Sequence, residues 1–278
     1  MANIGIVGYG FVGTAVEYGF KDDHNIRIYD KYKEEFDTLE GVVKSSELIF
    51  VCLPTPYKDE NMNIDLSIMD ENIEGISKYA KNTDKIVIIK STVVPGTTRN
   101  YSNQYPDVNF CFNPEFLREA HHLEDFVNPD RTVIGADKEE VLARVAQLYR
   151  KKMPHVPMFM TDPTTAELVK YFSNLFLATK VTFANEMSEF CDALEVDYNE
   201  VKGMVTADRR ISDSHLEITK EGGFGGKCFP KDLVALIGLG KKLGLEPSLL
   251  EAVWEKNLKV RKKQDWKDIP FVSSNQKK

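Results

Sequence analysis

Short apolar runs that alternate with amphipathic stretches constrain this chain more than any other feature. Ile4-Gly5-Ile6-Val7, Ile26-Arg27-Ile28-Tyr29, Leu48-Ile49-Phe50-Val51-Cys52, Ile86-Val87-Ile88-Ile89 and Val108-Asn109-Phe110-Cys111 are four or five residues long and rich in β-branched or aromatic side chains. Nearly continuous apolar character at that length suits strands covered on both faces of a parallel sheet. Helical patterns separate them, as over 64–80, where Leu66, Met69, Ile73 and Ile76 fall on one face. Thr132-Val133-Ile134-Gly135 and Met158-Phe159-Met160 add two later strands. The alternation predicts an α/β chain with a doubly wound sheet.

The rhythm changes after Asp162-Pro163. Residues 164–194 contain neither Pro nor Gly and read as one long helix, with Asp162 or Thr164 as N-cap and Pro163 or Thr165 near the first turn. Its early part is apolar almost all round (Leu168, Val169, Tyr171, Phe172, Leu175, Phe176, Leu177), so it should be a spine between domains or subunits. More helices are expected at about 198–206, 231–242 and 248–264. These patterns predict a first domain over 1–162, an all-helical dimerisation domain over 163–264 and a polar tail over 265–278. The apolar excess on the long helix predicts a homodimer.

Composition narrows the function. Lys plus Arg is 36 and Asp plus Glu is 43, a net charge of −7, which argues against nucleic-acid binding. No apolar run reaches the ~18 residues of a membrane span, and the start MANIGIVGYG lacks the basic region of a signal peptide. Cys52, Cys111, Cys191 and Cys228 form no CxxC pair, which indicates neither a disulfide framework nor a zinc site. His121 and His122 would point about 100° apart on a helix, with no third ligand in view, so no metal is expected. A cytoplasmic protein is the expectation.

Gly8-Tyr9-Gly10-Phe11-Val12-Gly13 follows the first strand and opens a helix. The first glycine allows a tight turn, the second lets a diphosphate approach the backbone, and the third lets helix and strand pack closely. The diphosphate would sit on the helix N-terminus. Asp30 ends the second strand, about twenty residues on, where it would accept from the adenosine ribose hydroxyls and repel a 2′-phosphate. The spacing predicts a Rossmann-like domain that binds NAD in preference to NADP. Lys31 and Lys33 stand close enough to blur that choice.

The stretch Glu221-Gly222-Gly223-Phe224-Gly225-Gly226-Lys227-Cys228-Phe229-Pro230-Lys231-Asp232 places a cysteine at the end of a glycine loop, just before a helix. The helix N-terminus and Lys227 favour a thiolate at Cys228, and the loop offers it nothing apolar to pack against. Cys52, Cys111 and Cys191 read as packing residues. On local grounds alone Lys170 could be snorkelling, Thr92 could be a strand end and Glu115 a capping acid, while Asp232 could complement a helix dipole. Lys256, Lys259, Arg261, Lys262 and Lys263 end a helix, where cations suit the dipole.

In order along the chain stand GYGFVG, Val51-Cys52-Leu53-Pro54-Thr55-Pro56, Lys90-Ser91-Thr92, Asn113-Pro114-Glu115-Phe116-Leu117-Arg118-Glu119, Asn128-Pro129-Asp130-Arg131, Glu167-Leu168-Val169-Lys170-Tyr171 with Asn174, and GGFGGKCFPKD. This ordered set resembles the UDP-glucose/GDP-mannose 6-dehydrogenase family. The resemblance implies an NAD-dependent, four-electron oxidation of a nucleotide sugar's primary alcohol to a carboxylate, through a thiohemiacetal and a thioester on Cys228. It implies that Lys170 and Asn174 steady oxyanions or a substrate hydroxyl, and that Asp232, Glu115 and Thr92 position or deprotonate water or the alcohol. It assigns Gly8, Gly10, Phe11, Val12, Gly13, Asp30, Pro54, Thr55 and Thr92 to the cofactor. Glu115, Phe116, Leu117, Arg118, Lys170, Asn174 and Gly225 go to the substrate, with Arg210 reaching a dimer partner's site. UDP-glucose is the expected substrate.

Two departures stand out. Lys227 takes a position where a small or neutral residue is expected. The chain also has only about twenty residues after Asn257, so a short form without the family's third domain is expected, gripping the nucleotide end loosely. The alternatives are a two-electron hydroxyacid-type dehydrogenase and a non-catalytic NAD-binding partner of a full-length enzyme.

Overall fold

The structure, a computed structural model, describes residues 1–58, 63–270 and 272. The chain divides into two units, Met1–Thr55 with Asp65–Lys170, and Pro56–Ile64 with Tyr171–Lys278.

The first unit holds seven strands: β1 (Asn3–Val7), β2 (Asn25–Tyr29), β3 (Leu48–Val51), β4 (Ile86–Ile89), β5 (Asn109–Phe112), β6 (Thr132–Gly135) and β7 (Met158–Thr161). They lie side by side in the order β2-β1-β3-β4-β5-β6-β7. The first five run parallel, whereas β6 meets β5 antiparallel, Phe112 opposite Gly135, and β7 runs parallel to β6. Helices α1 (Phe11–Phe20), α2 (Leu39–Ser45), α3 (Ser67–Ala80), α4 (Thr97–Gln104), α5 (His122–Val127) and α6 (Glu139–Lys152) connect them. Successive strand residues point to opposite faces. Ile4, Ile6, Phe50 and Ile88 therefore join Phe20, Phe126 and Tyr149 in one core, while Val7, Ile49, Val51 and Val87 join Ile73, Ile76 and Tyr101 in another. Two buried faces explain why these strands read as unbroken apolar runs. From β1 the chain passes to β2 on one side and β3 on the other, and a doubly wound sheet binds ligands beyond the strand carboxyl ends at such a reversal.

Helix α7 (Pro163–Ala193) begins where the sequence places it. The Asp162 carboxylate accepts from the Thr164 and Thr165 N–H groups at 3.0 and 3.2 Å, with Pro163 as the first helical residue. The division between the units falls within α7, at Lys170/Tyr171.

The second unit contains the rest of α7, then α8 (Tyr198–Thr206), α9 (Phe229–Lys242) and α10 (Ser248–Val260). It also contains two short antiparallel strands that no periodicity announces, Tyr57–Lys58 against Asn63–Ile64; the expected helix over 64–80 starts at Ser67 instead. The Tyr57 N–H donates to the Val272 carbonyl at 2.9 Å. Where a polar tail is expected, Trp266 is only 1% exposed and lies 5.5 Å from the Trp254 ring, and Val272 is also buried. Two apolar side chains anchor what composition alone reads as polar; residues 271 and 273–278 lie outside the described residues. No helix among the described residues is long and apolar enough to cross a membrane.

Candidate active site

Apart from Lys170, which lies on α7, the candidate site residues of the first unit follow strand carboxyl ends. After β1, Gly8 adopts φ +91°, its N–H donating to the Tyr29 carbonyl at 2.8 Å, and a Cβ there would meet the Cys52 carbonyl oxygen at 2.5 Å. A Cβ on Gly13 would meet the Gly8 carbonyl oxygen at 2.2 Å, so this glycine lets α1 close onto the turn. Gly10 differs: nothing lies within 4 Å of its missing Cβ. Phe11 and Val12 form the first turn of α1. After β2, Asp30 accepts from the Tyr9 N–H at 2.8 Å and the Tyr32 N–H at 3.0 Å, which brings its carboxylate to the glycine turn. A carboxylate has about four acceptor positions, so two remain for ribose hydroxyls. Open space at Gly10, a helix N-terminus behind it and an acid at the turn fit an adenine dinucleotide.

After β3 and β4 the loops are laced together. Ser91 Oγ accepts from the Leu53 N–H at 2.8 Å, and Thr55 Oγ1 donates to the Thr92 carbonyl at 2.7 Å, with Pro54 between these ties. After β5 comes a buried ion pair, Lys170 Nζ to Glu115 Oε1 at 2.9 Å. Burial pushes the Glu115 carboxyl upward. The Lys170 ammonium and the Leu117 N–H, 2.7 Å from Oε2, outweigh that and hold it below the usual carboxylate range. The Phe116 ring lies under Lys170 Nζ at 5.6 Å and under the Arg131 guanidinium at 4.0 Å. Arg118 faces outward, clasping Asp125 with two side-chain bonds of 3.0 and 2.6 Å.

Sequence reasoning missed the layer beneath. Lys90, buried, donates to Asn113 Oδ1 at 2.8 Å; that oxygen also accepts from the Tyr149 hydroxyl at 2.6 Å, and Asn113 Nδ2 donates to the Val133 carbonyl at 2.6 Å. Burial pulls the Lys90 ammonium down to about 8 and pushes the nearby Cys52 and Cys111 thiols up to about 12, which leaves those thiols inert.

In the second unit, Cys228 stands at the N-terminal cap of α9, and its carbonyl accepts from the Asp232 N–H at 2.9 Å. Fully buried Asp232 accepts from Asn174 Nδ2 and from Lys231 Nζ, both at 2.7 Å. The glycine loop is clamped rather than loose. Asn185 Oδ1 accepts from the Gly223 N–H at 3.0 Å, and Asn257 Oδ1 from the Phe224 N–H at 2.7 Å. Asp265 accepts from the Gly226 N–H at 3.1 Å and from Arg261 at 2.9 Å, while Arg261 Nη1 donates to the Gly222 carbonyl at 3.0 Å. At Gly225 a Cβ would meet Asp265 Oδ1 at 2.2 Å, so this glycine backs onto the clamp.

Two expectations need correction. Arg261 grips the loop and Lys256 bonds Glu189 at 2.6 Å, so the basic run does more than complement a dipole. The loop also has an apolar anchor: Phe224 is buried against Phe229 and Trp254, with ring centres 6.1 and 6.5 Å away. Arg210 is exposed and clasps Asp208 in its own turn. His122 lies 3.4 Å from Thr14 Oγ1, and no three metal-ligating side chains gather among the described residues.

Residues 27–153 match the NAD binding domain of the UDP-glucose/GDP-mannose dehydrogenase family, and residues 164–259 match its central domain. A UDP-glucose 6-dehydrogenase of Rickettsia bellii is 39% identical over 220 residues, 77% of this chain and 50% of that protein. One from Rickettsia typhi is 35% identical over 92% of this chain and 66% of its own length. The chain thus spans half to two-thirds of these relatives. The structure of a UDP-glucose dehydrogenase from the archaeon Pyrobaculum islandicum superposes with a TM-score of 0.84 and 32% identity, covering 93% of this chain and 68% of the other. With a glycine turn that fits a dinucleotide and a clamped cysteine loop, the chain belongs to the UDP-glucose/GDP-mannose dehydrogenase family, and its first unit carries that family's NAD-binding domain.

Proposed function

We propose that the chain is an NAD-dependent nucleotide-sugar 6-dehydrogenase that oxidises a primary alcohol to a carboxylate in two stages, with UDP-glucose as substrate. The clamped loop that delivers Cys228 to the α9 N-terminus is the observation that carries this reading. Four side chains hold a backbone whose glycines could otherwise move freely, and a two-electron oxidation has no need of a thiol so fixed. Two molecules of NAD, bound in turn, would supply the two hydride acceptors that a four-electron oxidation needs.

The chain's own residues do the rest. Glu115, beside the Lys170 ammonium, takes up the alcohol proton, with Thr92 orienting the reacting hydroxyl. Cys228 adds its sulfur to the aldehyde carbon; a C–S bond forms and the thiol proton passes to the carbonyl oxygen. The α9 N-terminus favours negative charge at that point. Lys170 and Asn174 stabilise the oxyanions that develop, which is worth most in a site closed to water. Once Glu115 has passed the first proton to solvent it takes up the thiohemiacetal's hydroxyl proton, and departure of the carbon-bound hydrogen as the second hydride leaves a thioester. Asp232, oriented by Asn174 and Lys231, directs water to its carbonyl; the C–S bond breaks and the thiol is restored. Phe116, Leu117, Arg118 and Gly225 shape the sugar site. The active form is a homodimer built on α7 and the helices after it.

The test is the stoichiometry of NADH formed per UDP-glucose, with the product identified. Two NADH and a uronic acid are expected, and Cys228→Ala should form no acid while still binding NAD. One NADH per sugar would mean a two-electron enzyme, and none a non-catalytic NAD-binding partner.

A further inference from the structure

Asp30 by itself leaves the choice between NAD and NADP unsettled. Lys31 and Lys33 follow it at the end of β2, and a cation at that point of a dinucleotide fold is what a 2′-phosphate seeks. The structure gives both lysines other partners. Lys33 Nζ donates to the Tyr9 carbonyl at 3.0 Å and lies 4.8 Å from the centre of the Tyr9 ring and 5.9 Å from that of Phe36. Those two rings meet edge to face at 4.9 Å, so Lys33 braces the glycine turn itself. Lys31 is held differently. Its Nζ donates to both oxygens of Glu71 on α3, at 2.9 and 3.2 Å.

We propose that Glu71 is a specificity-determining residue for the cofactor: by engaging Lys31 it withholds the ammonium that a 2′-phosphate would use, and so reinforces the selection of NAD by Asp30. To use Lys31, NADP must break the pair and set its phosphate against two carboxylates, Asp30 and Glu71. Without the Glu71 charge, one repulsion disappears and one cation is released. NAD carries only a neutral 2′-hydroxyl there, bonded to Asp30, and is nearly indifferent to the change. Both side chains are about half exposed, so water and salt screen the interaction and its effect is modest. The inference rests on the reading of Asp30 as the acid at the adenosine ribose.

Calorimetric titration of NAD and NADP into the wild type, Glu71→Gln, Glu71→Gln/Lys31→Ala and Asp30→Ala tests it without any substrate. Glu71→Gln should tighten NADP about three- to tenfold and leave NAD within about twofold. The gain should vanish in the double variant and shrink as salt is raised. An unchanged NADP affinity in Glu71→Gln, or a gain that survives Lys31→Ala, overturns the proposal. If Asp30→Ala narrows the NAD/NADP gap while Glu71→Gln leaves it alone, the ribose reading stands and this inference fails by itself. If neither moves the gap, both fail.

Discussion

Glu167 ties two functional segments together through a single carboxylate. It projects from α7, three residues before Lys170, and is fully buried. Its oxygens accept from the Gly96 N–H at 2.6 Å and the Thr98 N–H at 2.8 Å, the start of α4, a few residues past Thr92. Burial pushes its pKa up to about 7 against these donors; Arg99, itself paired with Asp137 and Asp162, is the charge that faces it. A carboxyl raised in the folded state adds stability that is complete below its ordinary pKa and is lost as pH rises through the folded value. Between about pH 5 and 8 the wild type should therefore lose on the order of 2–3 kcal/mol more than Glu167→Gln. Urea unfolding at several pH values reads this directly, and parallel slopes for the two proteins would show that Glu167 stays charged throughout.

At the scale of elements, the strand–turn–helix at β1 separates binding from folding. Gly13→Ala drives a methyl to 2.2 Å from the Gly8 carbonyl oxygen, so helix and strand must part. The cost should be about 2–4 kcal/mol, seen as a clear fall in Tm, as overpacked sites show. Gly10→Ala meets no atom within 4 Å and has φ −87°, which alanine tolerates. It should leave Tm nearly unchanged yet weaken NAD by at least about tenfold, because its methyl enters the space left for the diphosphate. Equal NAD affinity in Gly10→Ala would place the diphosphate elsewhere. These elements were legible because their signals are local: two-sided burial makes strands read as apolar runs, and Asp162-Pro163 announces α7. What was not legible depends on partners distant in sequence. Nothing near Arg261 or Asp265 says that they hold Gly222 and Gly226, about 39 residues away. Asn185 and Asn257 look like ordinary helix residues until the loop is seen against them. The reversal of β6 turns on one bridge, Phe112 to Gly135, which leaves no periodicity to read.

At the scale of the whole molecule, α7 displays an apolar surface. Phe172, Phe176, Phe183 and Phe190 are 70, 59, 60 and 58% exposed. Steps of four, seven and seven residues keep all four on one side of a helix. Four phenylalanines in one exposed row favour a self-complementary, two-fold interface, in which the row on one protomer packs against its copy. Phe176→Asp together with Phe183→Asp should convert a dimer to a monomer in sedimentation at micromolar concentration; a wild type already monomeric there would end the proposal. Arg210 gives the dimer a functional test. Its side chain is 87% exposed and clasps Asp208 in its own turn, available to exchange that partner for a substrate on a neighbouring protomer. If it acts across the interface, Arg210→Ala and Cys228→Ala are each inactive alone, yet in a mixed dimer one site recovers both groups. Random pairing of equal amounts makes half of all dimers mixed, each with one working site of two, so activity should return to about a quarter of the wild-type value. If Arg210 serves its own protomer, every site in the mixed dimer lacks one of the two groups and the mixture stays inactive.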